Sequence, residues 1–510
     1  MLQVITSMNK KVIIALVAIL VILCGAAYML TTSSNNTMAS IDANALEDRG
    51  NLIVDSKSLD ENNGLYHINS SDSNSILIKN KGALKLANSL INKTGDTQTS
   101  GDDADFYGVN SAVLVNTNGT LDISNVEINT NSKGSNGIFV TNANASSSSD
   151  SSQGAGEGGQ PPEASGNGGA SQGGDGGQPP AMPEGNSPSG QGGQASGGNP
   201  GETTVAGTTQ ANINNVKITT HSDKSRGLDA TYNGIINAAN VIINTDGQSC
   251  AALATDRGEG QVHVKDSQIN TGVSKTSGRG SPLIYSTGNI TVENTKGTAY
   301  VSQIACIEGK NSIELTDCDL AGYGEGNRKD GDTYVDLGGI FIYQSMSGDA
   351  DVGTSHFKAL NSKLSIAEDS SVYKDAPMFY VTNTACVIDL ENTELSFGSG
   401  TFLKIAGQNQ WGTQGSNGGK AELNTANEKI DGNIIVDSIS SLKWVMKNTE
   451  FKGAINSTGN TTVHIESGST WTLTGDSSVS ALELSGKIDY GSYTLTVNGQ
   501  KYTSSNPFKG

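Results

Sequence analysis

The chain is poor in aromatic residues and in positive charge. Of its 510 residues, 5% are aromatic and 16% are charged, and Asp and Glu outnumber Lys and Arg by 51 to 32. The resulting formal net charge of −19 excludes attraction to nucleic acid or to an anionic membrane through bulk charge, because both need a basic protein surface. We therefore expect no nucleic-acid partner.

The motifs of several enzyme classes are also missing. The five histidines are scattered and no HExxH is present, so a zinc site is not predicted. The sequence has neither a GxSxG nucleophile elbow between a strand and a helix nor a phosphate-binding loop. Acidic pairs such as Asp317 and Asp319 exist, but an acidic surface gives the same pattern, and glycoside hydrolysis needs two carboxylates at a set separation. We predict no catalytic residues and no required cofactor.

Cysteine is rare, with five residues in the whole chain. Four of them lie inside apolar strand-like patterns: Cys250, Cys306, Cys318 and Cys386. A free cysteine in such a place behaves as a small core residue, whereas an even number of cysteines outside the cell also permits disulfides. The pattern favours buried thiols and leaves the disulfide alternative open.

One long hydrophobic run is present, from residue 12 to residue 30. As a helix its 19 residues span roughly 29 Å, which is enough to cross a bilayer core of about 30 Å. Lys10 and Lys11 precede it and a Thr/Ser/Asn segment follows, which places the bulk of the chain outside the cell. We predict a signal-anchor or transmembrane helix in residues 1–30 and a polar linker in 31–47. A cleaved signal peptide, giving a secreted protein, is the alternative.

The remaining sequence is dominated by a repeat of 25 or 26 residues. In each copy an Asn or Asp is followed three residues later by Ile, as in Asn215 and Ile218. The same residue type stands at the start of four well-defined copies: Asn125, Asn215, Asn240 and Asp266. A fixed period of this length is typical of solenoid proteins, and the alternation of apolar and polar residues around each anchor is that of a half-buried strand.

This repeat predicts an all-β fold, specifically a right-handed single-stranded parallel β-helix over residues 48–485. The strands leave no room for a hairpin at the anchor, so one residue must bend the chain, and Asn tolerates the left-handed α region better than any residue except Gly. The stacked anchors would then form a structural ladder of amides. We expect about 13 to 15 coils at 25 to 28 residues each, and a capping hairpin in residues 486–510.

A low-complexity segment interrupts the repeat at residues 144–207. Between residues 151 and 200 it contains 17 Gly and 7 Pro but no Val, Ile, Leu, Phe, Tyr or Trp. Such a composition cannot bury enough apolar surface to offset its ordering entropy. We predict a disordered insert extruded from one coil, since the repeat resumes after it, rather than a spacer between two domains.

Several blocks carry a resemblance to known proteins. The overall pattern resembles the pectin-lyase-like β-helix superfamily. Blocks such as SRGLDATYNG, GSPLIYSTGNITVEN and APMFYVTNT, within residues 210–500, are similar to secreted, adhesin-like proteins of anaerobic gut microbes. The resemblance implies a pectin-lyase-like fold, and because that superfamily contains lyases, hydrolases and non-catalytic adhesins, it does not by itself decide the function.

Candidate binding residues cluster in the middle of the chain. Arginine suits the carboxylates of uronic acids, aromatic rings on polar loops could stack on sugar rings, and clustered aspartates supply oxygen ligands for Ca²⁺. The candidates for ligand binding are Arg226, Arg257, Arg279, Arg328, Tyr323, Tyr334 and Trp411. The candidates for a weak Ca²⁺ site are Asp330, Asp332 and Asp336.

Together these observations favour a non-catalytic, cell-surface protein. We expect an adhesin-like or carbohydrate-binding β-helix that is anchored at its N-terminus and contacts a polysaccharide or a cell-envelope glycan. The alternative is a polysaccharide lyase or glycoside hydrolase that acts on an acidic polysaccharide. A groove with convergent basic and acidic side chains on one face would help to distinguish them.

Overall fold

The computed structural model describes residues 41–99, 101–143, 206–275, 281–324, 329–330, 333–334 and 338–509. Within these residues the fold is all-β and built from long parallel sheets, which confirms the class predicted from the repeat. Helix is limited there to a 3-10 turn at Ala43–Ala45 and a short α-helix at Gly101–Tyr107. The Gly and Asp content of residues 101–105 predicts an acidic loop. The structure corrects this prediction, because these residues belong to the α-helix.

The larger sheet, called sheet A here, has 22 strands. Most of them pair in parallel with the corresponding strand one coil further along the chain. Its strands are Glu47–Gly50, Ser58–Asn62, Gly64–Ile68, Ala83–Lys93, Thr120–Thr130, Gln210–Thr220, Ile235–Ala239, Ile242–Thr245, Gln261–Lys265, Gln268–Thr271, Asn289–Glu293, Lys296–Ala299, Ser312–Thr316, Asp319–Gly322, Thr354–Leu360, Lys363–Ile366, Ala385–Glu391, Glu394–Ser396, Lys420–Ala426, Ser441–Lys447, Asn460–Ile465 and Ala481–Leu484.

A second parallel sheet, called sheet B here, has 13 strands. Successive strands again come from successive coils. They are Leu52–Asp55, Ile76–Lys79, Val113–Asn116, Ile138–Thr141, Leu228–Thr231, Leu253–Thr255, Ile284–Ser286, Ala305–Glu308, Ile340–Tyr343, Phe379–Thr382, Thr401–Ile405, Asn433–Val436 and Ile455–Ser457.

Three smaller sheets complete the described strands. A four-stranded parallel sheet comprises Lys429–Asp431, Glu450–Lys452, Thr470–Thr472 and Lys487–Asp489. A three-stranded sheet comprises Ser477–Val479, Leu495–Val497 and Gln500–Tyr502. In the latter the last two strands pair antiparallel, within the segment predicted to cap the fold. The short strands Lys329–Asp330 and Thr333–Tyr334 also form an antiparallel pair.

The parallel pairing follows the sequence repeat residue by residue. Ile218 pairs with Ile243, and Ile243 pairs with Ile269. A typical coil therefore consists of a strand of sheet A, a bend, a second strand of sheet A, and a strand of sheet B. This is the pairing pattern of a parallel β-solenoid, in which each coil covers the edge of the coil before it.

The bend within sheet A lies at the repeated Asn or Asp. Asn125, Asn215, Asn240 and Asp266 have φ angles of 54°, 55°, 55° and 52°. An L-residue other than Asn or Asp is strained in this left-handed region, whereas Asn and Asp adopt it at low cost. One residue thus turns the chain between two strands without a hairpin.

The amide ladder at these bends differs in part from the expected stack. Asn215 donates from Nδ2 to Oδ1 of Asn125 over 2.6 Å, and Asn125 donates in the same way to Asn88 over 3.2 Å. Asn240 instead donates to Asn214 over 2.9 Å, and the oxygen of Asp266 accepts from Asn294 over 2.7 Å. The residues of this ladder are exposed to half-exposed rather than buried.

The interior is a stack of aliphatic and aromatic columns. One column passes from Leu121 to Ala211, Ile236 and Val262, all of which are fully buried. Strands of sheet A alternate between buried and exposed residues, as in the pattern iBiBieBiBiB of Thr120–Thr130. The inward side chains form one continuous apolar core along the described coils.

The repeat continues in register across the predicted insert. Strand Thr120–Thr130 pairs with strand Gln210–Thr220, and Ile138–Thr141 pairs with Leu228–Thr231. Nearly all of the insert, residues 144–205, lies outside the described residues, as does the predicted membrane segment in residues 1–30. Among the residues that are described, no helix is long and apolar enough to span a membrane.

Candidate functional site

A long groove runs over the outer face of sheet A, across the strands. Its cavity volume is about 790 Å³, and eight consecutive coils contribute to it. Its floor is formed by the strand that precedes the Asn bend in each coil. With strands spaced roughly 4.8 Å apart, the groove follows the stacking direction for about 30 Å.

One column of outward side chains lies along the middle of the groove. The parallel register places these residues directly next to one another in successive coils. The column consists of Asp60, Lys85, Asp122, Asn212, Asn237, His263, Thr291 and Glu314. Most of these side chains are partly or fully exposed, so the groove offers hydrogen-bonding groups at the repeat of the coils.

Hydrogen bonds along the column hold several of these groups in place. Asn212 donates to Oδ1 of Asp122 over 2.8 Å, and Asn237 donates to Oδ1 of Asn212 over 3.2 Å. His263 Nδ1 lies 2.6 Å from the hydroxyl of Thr291. These groups are therefore held in defined orientations, and preorganisation of this kind lowers the entropic cost of binding at a site that uses it.

The groove contains mixed charge with an acidic excess. Its acidic residues are Asp60, Asp122, Glu293 and Glu314, and its basic residues are Lys85 and Lys265. Partial burial lowers the pKa of His263, so its imidazole is neutral at neutral pH. Such a surface suits a polar ligand without a high negative charge.

The sequence motifs did not identify this groove, although the repeat contains the signal. Asn212, Asn237 and His263 each stand three residues before a bend, at Asn215, Asn240 and Asp266. Because side chains alternate along a strand, aligning the copies on their bends would have placed these three residues in one outward column.

The outer face of sheet B is covered along its middle strands, in contrast to that of sheet A. Strands such as Ile138–Thr141, Leu228–Thr231 and Ile340–Tyr343 are buried at every position. Part of the cover is the helix Gly101–Tyr107, whose Phe106 is buried and accepts a hydrogen bond from Thr231 through its carbonyl oxygen.

A buried ionic cluster lies beneath this helix and is centred on Arg226. The guanidinium lies 3.1 Å from Asp105 of the helix, 2.5 Å from Asp256 and 3.5 Å from Asp229. Arg226 and Asp229 are almost completely buried. Arg226, a candidate for ligand binding in the sequence, is therefore placed away from solvent, where it compensates the acidic side chains around it.

The buried position shifts the pKa values of this cluster. Burial raises the pKa of Asp256 to about 6 and that of Asp229 well above its ordinary value, although Arg226 opposes both shifts. Burial disfavours the charged form of Arg226, but the surrounding carboxylates outweigh it and raise its pKa further. Three carboxylates share one guanidinium here, and the two buried ones, Asp229 and Asp256, hold their protons more tightly than an exposed aspartate does.

Another buried carboxylate, Glu308, lies further along the same covered face. It accepts hydrogen bonds from the hydroxyl of Tyr285 over 3.0 Å and from the backbone N–H of Ser345 over 3.2 Å. Burial raises the pKa of Glu308 to about 7. This carboxylate thereby fastens the loop that begins at Ser345 onto sheet B.

Two further candidates from the sequence also belong to the cover of sheet B. Arg257 pairs with Asp349 over 2.7 Å, and its guanidinium carbon lies 3.8 Å from the ring centre of Phe106. Trp411 is 6% exposed and packs against Phe341 and Tyr343 at centroid distances of 5.4 and 4.9 Å. Because its ring is packed in this cluster, Trp411 has little surface to offer to a sugar.

The remaining candidates divide between one surface residue and positions that are not fully described. Tyr323 is half-exposed at the end of strand Asp319–Gly322. Arg279, Arg328, Asp332 and Asp336 lie outside the described residues, and only the backbone is described at Asp330 and Tyr334. Within the part of the chain that the structure describes, no group of three His, Cys, Asp or Glu residues is arranged to hold a metal ion.

The four cysteines of the solenoid are free thiols and all are buried. This confirms the interpretation of the sequence that favoured small core residues over disulfides. Burial raises the pKa of Cys250 to about 12 and that of Cys318 to about 11. Neither thiol is thereby activated as a nucleophile.

No protein-family model matches the chain, and no curated protein matches it.

Proposed function

We propose that the protein is a non-catalytic, carbohydrate-binding solenoid of the cell surface and that the groove on sheet A is its binding surface. The observation that supports this most directly is the column of polar side chains from Asp60 to Glu314, which repeats once per coil. A polysaccharide also presents its hydroxyl groups at a regular repeat. An extended chain lying along the groove would meet the same kind of contact in each coil.

The charge of the groove indicates which polysaccharides it would accept. Four acidic residues and two lysines line it, and His263 adds a neutral imidazole. An acidic polysaccharide would meet net repulsion, whereas a neutral glycan meets donors and acceptors that suit its hydroxyls. We therefore favour a neutral polysaccharide or a neutral stretch of a cell-envelope glycan.

A polysaccharide lyase or hydrolase of acidic substrates remains the second proposal. Its support is the cluster of Arg226, Asp229 and Asp256, in which two carboxylates have raised pKa values near a guanidinium, as catalytic sites often do. The cluster is buried beneath the helix Gly101–Tyr107, so a substrate would reach it only after that helix moved. The open groove therefore supports binding better than the covered cluster supports catalysis.

The proposal also covers the location of the solenoid in the cell and the hand of its winding. The apolar run at residues 12–30 supports an N-terminal membrane anchor with the solenoid outside the cell, or a secreted protein if the run is cleaved. A right-handed winding is supported by the strong preference of parallel crossover connections for that hand. The resemblance to adhesin-like β-helix proteins supports a surface location.

The test is a pair of matched substitutions in one column. Asn212 and Asn424 occupy equivalent positions, and each donates to an aspartate one coil away over 2.8 Å, at Asp122 and Asp389 respectively. Asn212 lines the groove, whereas Asn424 is not among its lining residues. The two Asn→Ala variants of the full chain therefore lose the same kind of hydrogen bond, but only Asn212→Ala changes the lining of the groove.

Binding to an array of neutral and acidic polysaccharides is then measured for the wild type and both variants. We expect Asn212→Ala to weaken binding of the best neutral polysaccharide about tenfold, as for the loss of one good polar contact, and Asn424→Ala to leave it unchanged. Equal affinities in all three proteins would contradict the groove as the binding surface. Selective binding and shortening of an acidic polysaccharide would support the enzymatic alternative.

A further inference from the structure

A pair of tyrosines lies on the surface away from the groove, at the ends of two consecutive strands of sheet A. Tyr300 follows strand Lys296–Ala299, and Tyr323 follows strand Asp319–Gly322 one coil later. Both side chains are half-exposed, and their ring centroids are 6.0 Å apart with an angle of 36° between the planes. Neither residue lines the groove.

Hydrogen bonds to neighbouring parts of the chain hold the backbone beneath the two rings. The N–H of Tyr300 donates to the carbonyl of Thr271, and the N–H of Tyr323 donates to the carbonyl of Ala299, each over 2.9 Å. The carbonyl of Tyr323 also accepts a hydrogen bond from the hydroxyl of Ser370. The rings therefore stand on rigid strand ends, as a preformed binding surface requires.

Two charged side chains flank the rings and complete the polar part of the surface. The ammonium of Lys275 lies 4.8 Å from the ring centre of Tyr300 and 5.8 Å from that of Tyr323. A hydrogen bond to the exposed Asp369 raises the pKa of the Tyr323 hydroxyl. The surface thus combines two half-exposed aromatic rings, an exposed ammonium that lies over them, and an exposed carboxylate beside the hydroxyl of Tyr323.

We infer that Tyr300, Tyr323, Lys275 and Asp369 form a second binding site, which takes one or two neutral pyranose rings. The C–H groups on one face of a pyranose ring pack against aromatic faces, and its hydroxyls need a donor and an acceptor at the edge, which Lys275 and Asp369 supply. The ammonium and the carboxylate balance each other, so the site favours a neutral sugar over a uronic acid. The inference rests on the proposed function for the class of ligand, but it shares no residue with the groove.

Short ligands separate this site from the groove. A disaccharide reaches across one or two coils, as the tyrosine pair does, and is too short to follow the column of eight residues in the groove. The full chain is titrated with cellobiose, maltose and lactose, and with digalacturonate as the acidic comparison. Binding is followed by saturation-transfer NMR of the sugar protons.

We expect at least one of the neutral disaccharides to bind and digalacturonate to bind more weakly. Tyr300→Ala and Tyr323→Ala should each weaken the binding about five- to tenfold, by the loss of one aromatic contact. Tyr300→Phe and Tyr323→Phe keep the rings and should keep most of the affinity, which would assign the loss in the Ala variants to the rings and not to the hydroxyls. Tyr493→Ala, at an exposed tyrosine of the C-terminal segment, should have no effect.

The outcomes for the two sites are independent. Asn212→Ala should leave disaccharide binding unchanged, and the Tyr→Ala variants should still bind the long polysaccharide through the groove. The inference is overturned if no neutral disaccharide binds, if digalacturonate binds more tightly than all three, or if both Tyr→Ala variants bind as the wild type does.

Discussion

At the bend of each coil a single residue turns the chain, and the choice of residue decides whether the turn is strained. Asn240 has a φ of 55°, and its N–H donates to the carbonyl of Lys265 one coil away over 3.1 Å. Its side chain lies at the surface, where the amide donates to Asn214. The backbone conformation, rather than a buried amide bond, is therefore the main reason for asparagine at this position.

This distinction predicts the order of two substitutions. Asn240→Val should lower the free energy of unfolding by about 1–3 kcal/mol, because a β-branched residue is strained at positive φ. Asn240→Gly should cost less than about 1 kcal/mol, since Gly accepts the angle and loses one exposed hydrogen bond. Urea unfolding of the three proteins measures both differences.

The control for Asn240 is the same substitution three residues earlier. Asn237 lies in strand Ile235–Ala239, is exposed and also donates one amide hydrogen bond, to Asn212. Asn237→Val should be nearly neutral because valine suits a strand. If Asn240→Val were as stable as Asn237→Val, the strain argument at the bend would be refuted.

At the scale of the elements, the two sheets differ in what lies outside them. Sheet A alternates between buried and exposed residues, whereas strands of sheet B such as Phe379–Thr382 are buried throughout. The cover includes the helix Gly101–Tyr107 and the loop beginning at Ser345. It is attached through buried charges and not only through apolar contacts, which makes the attachment dependent on pH.

The pKa of Glu308 determines whether the stability rises or falls with pH. Burial raises its pKa from an ordinary 4.5 to about 7, so the folded state holds this proton more tightly than the unfolded state. The stabilisation is complete below about pH 4.5 and is lost as the pH rises through about 7. A shift of this size corresponds to a loss on the order of 3 kcal/mol.

The substitution Glu308→Gln should remove this pH dependence. Glutamine cannot ionise, and its carbonyl oxygen can still accept a hydrogen bond from Ser345. We expect the variant to be more stable than the wild type at pH 8 and close to it at pH 5, as measured by urea unfolding at both values. Glu314→Gln, at an exposed carboxylate, serves as the control. The prediction fails if the two variants change stability equally at pH 8.

At the scale of the whole molecule, the repeat made the architecture predictable, while the cover of sheet B was not. The alternation of apolar and polar residues and the 25-residue period are both visible in the sequence itself, and they indicate parallel coils. The pair formed by Asp105 and Arg226 joins residues 121 positions apart, and nothing in the period links them. The same limit explains why Arg226 and Trp411 were expected at the surface and are buried.

The groove and the tyrosine pair could be predicted from the sequence only in part. Tyr323 was a candidate from its place in a polar loop, but its neighbour Tyr300 became relevant only when the register placed it one coil away. The groove required both the bend positions and the direction of each side chain. A repeat therefore predicts which residues form a column, but the exposure of that column depends on what packs over it.

The segment between residues 143 and 206 tests whether the solenoid is one continuous unit. The strands on its two sides pair directly, and the amide of Asn142 donates to the carbonyl of Gly207 over 3.2 Å. The two ends of the segment therefore lie close together, so a short connection can replace it. Deleting residues 146–202 leaves five residues to join Ala143 to Ala206, a common length for a loop.

We expect this deletion to leave the melting temperature unchanged or slightly higher, because a shorter loop costs less closure entropy, at about 0.6 kcal/mol for each halving of its length. The matched control deletes residues 408–416, which removes Trp411 from its buried contacts with Phe341 and Tyr343. That deletion should lower the stability by at least about 3 kcal/mol, as for the loss of a buried aromatic side chain. Thermal unfolding followed by circular dichroism compares both with the wild type. A large loss of stability in the 146–202 deletion would show that the segment contributes to the packed structure and does not merely interrupt a coil.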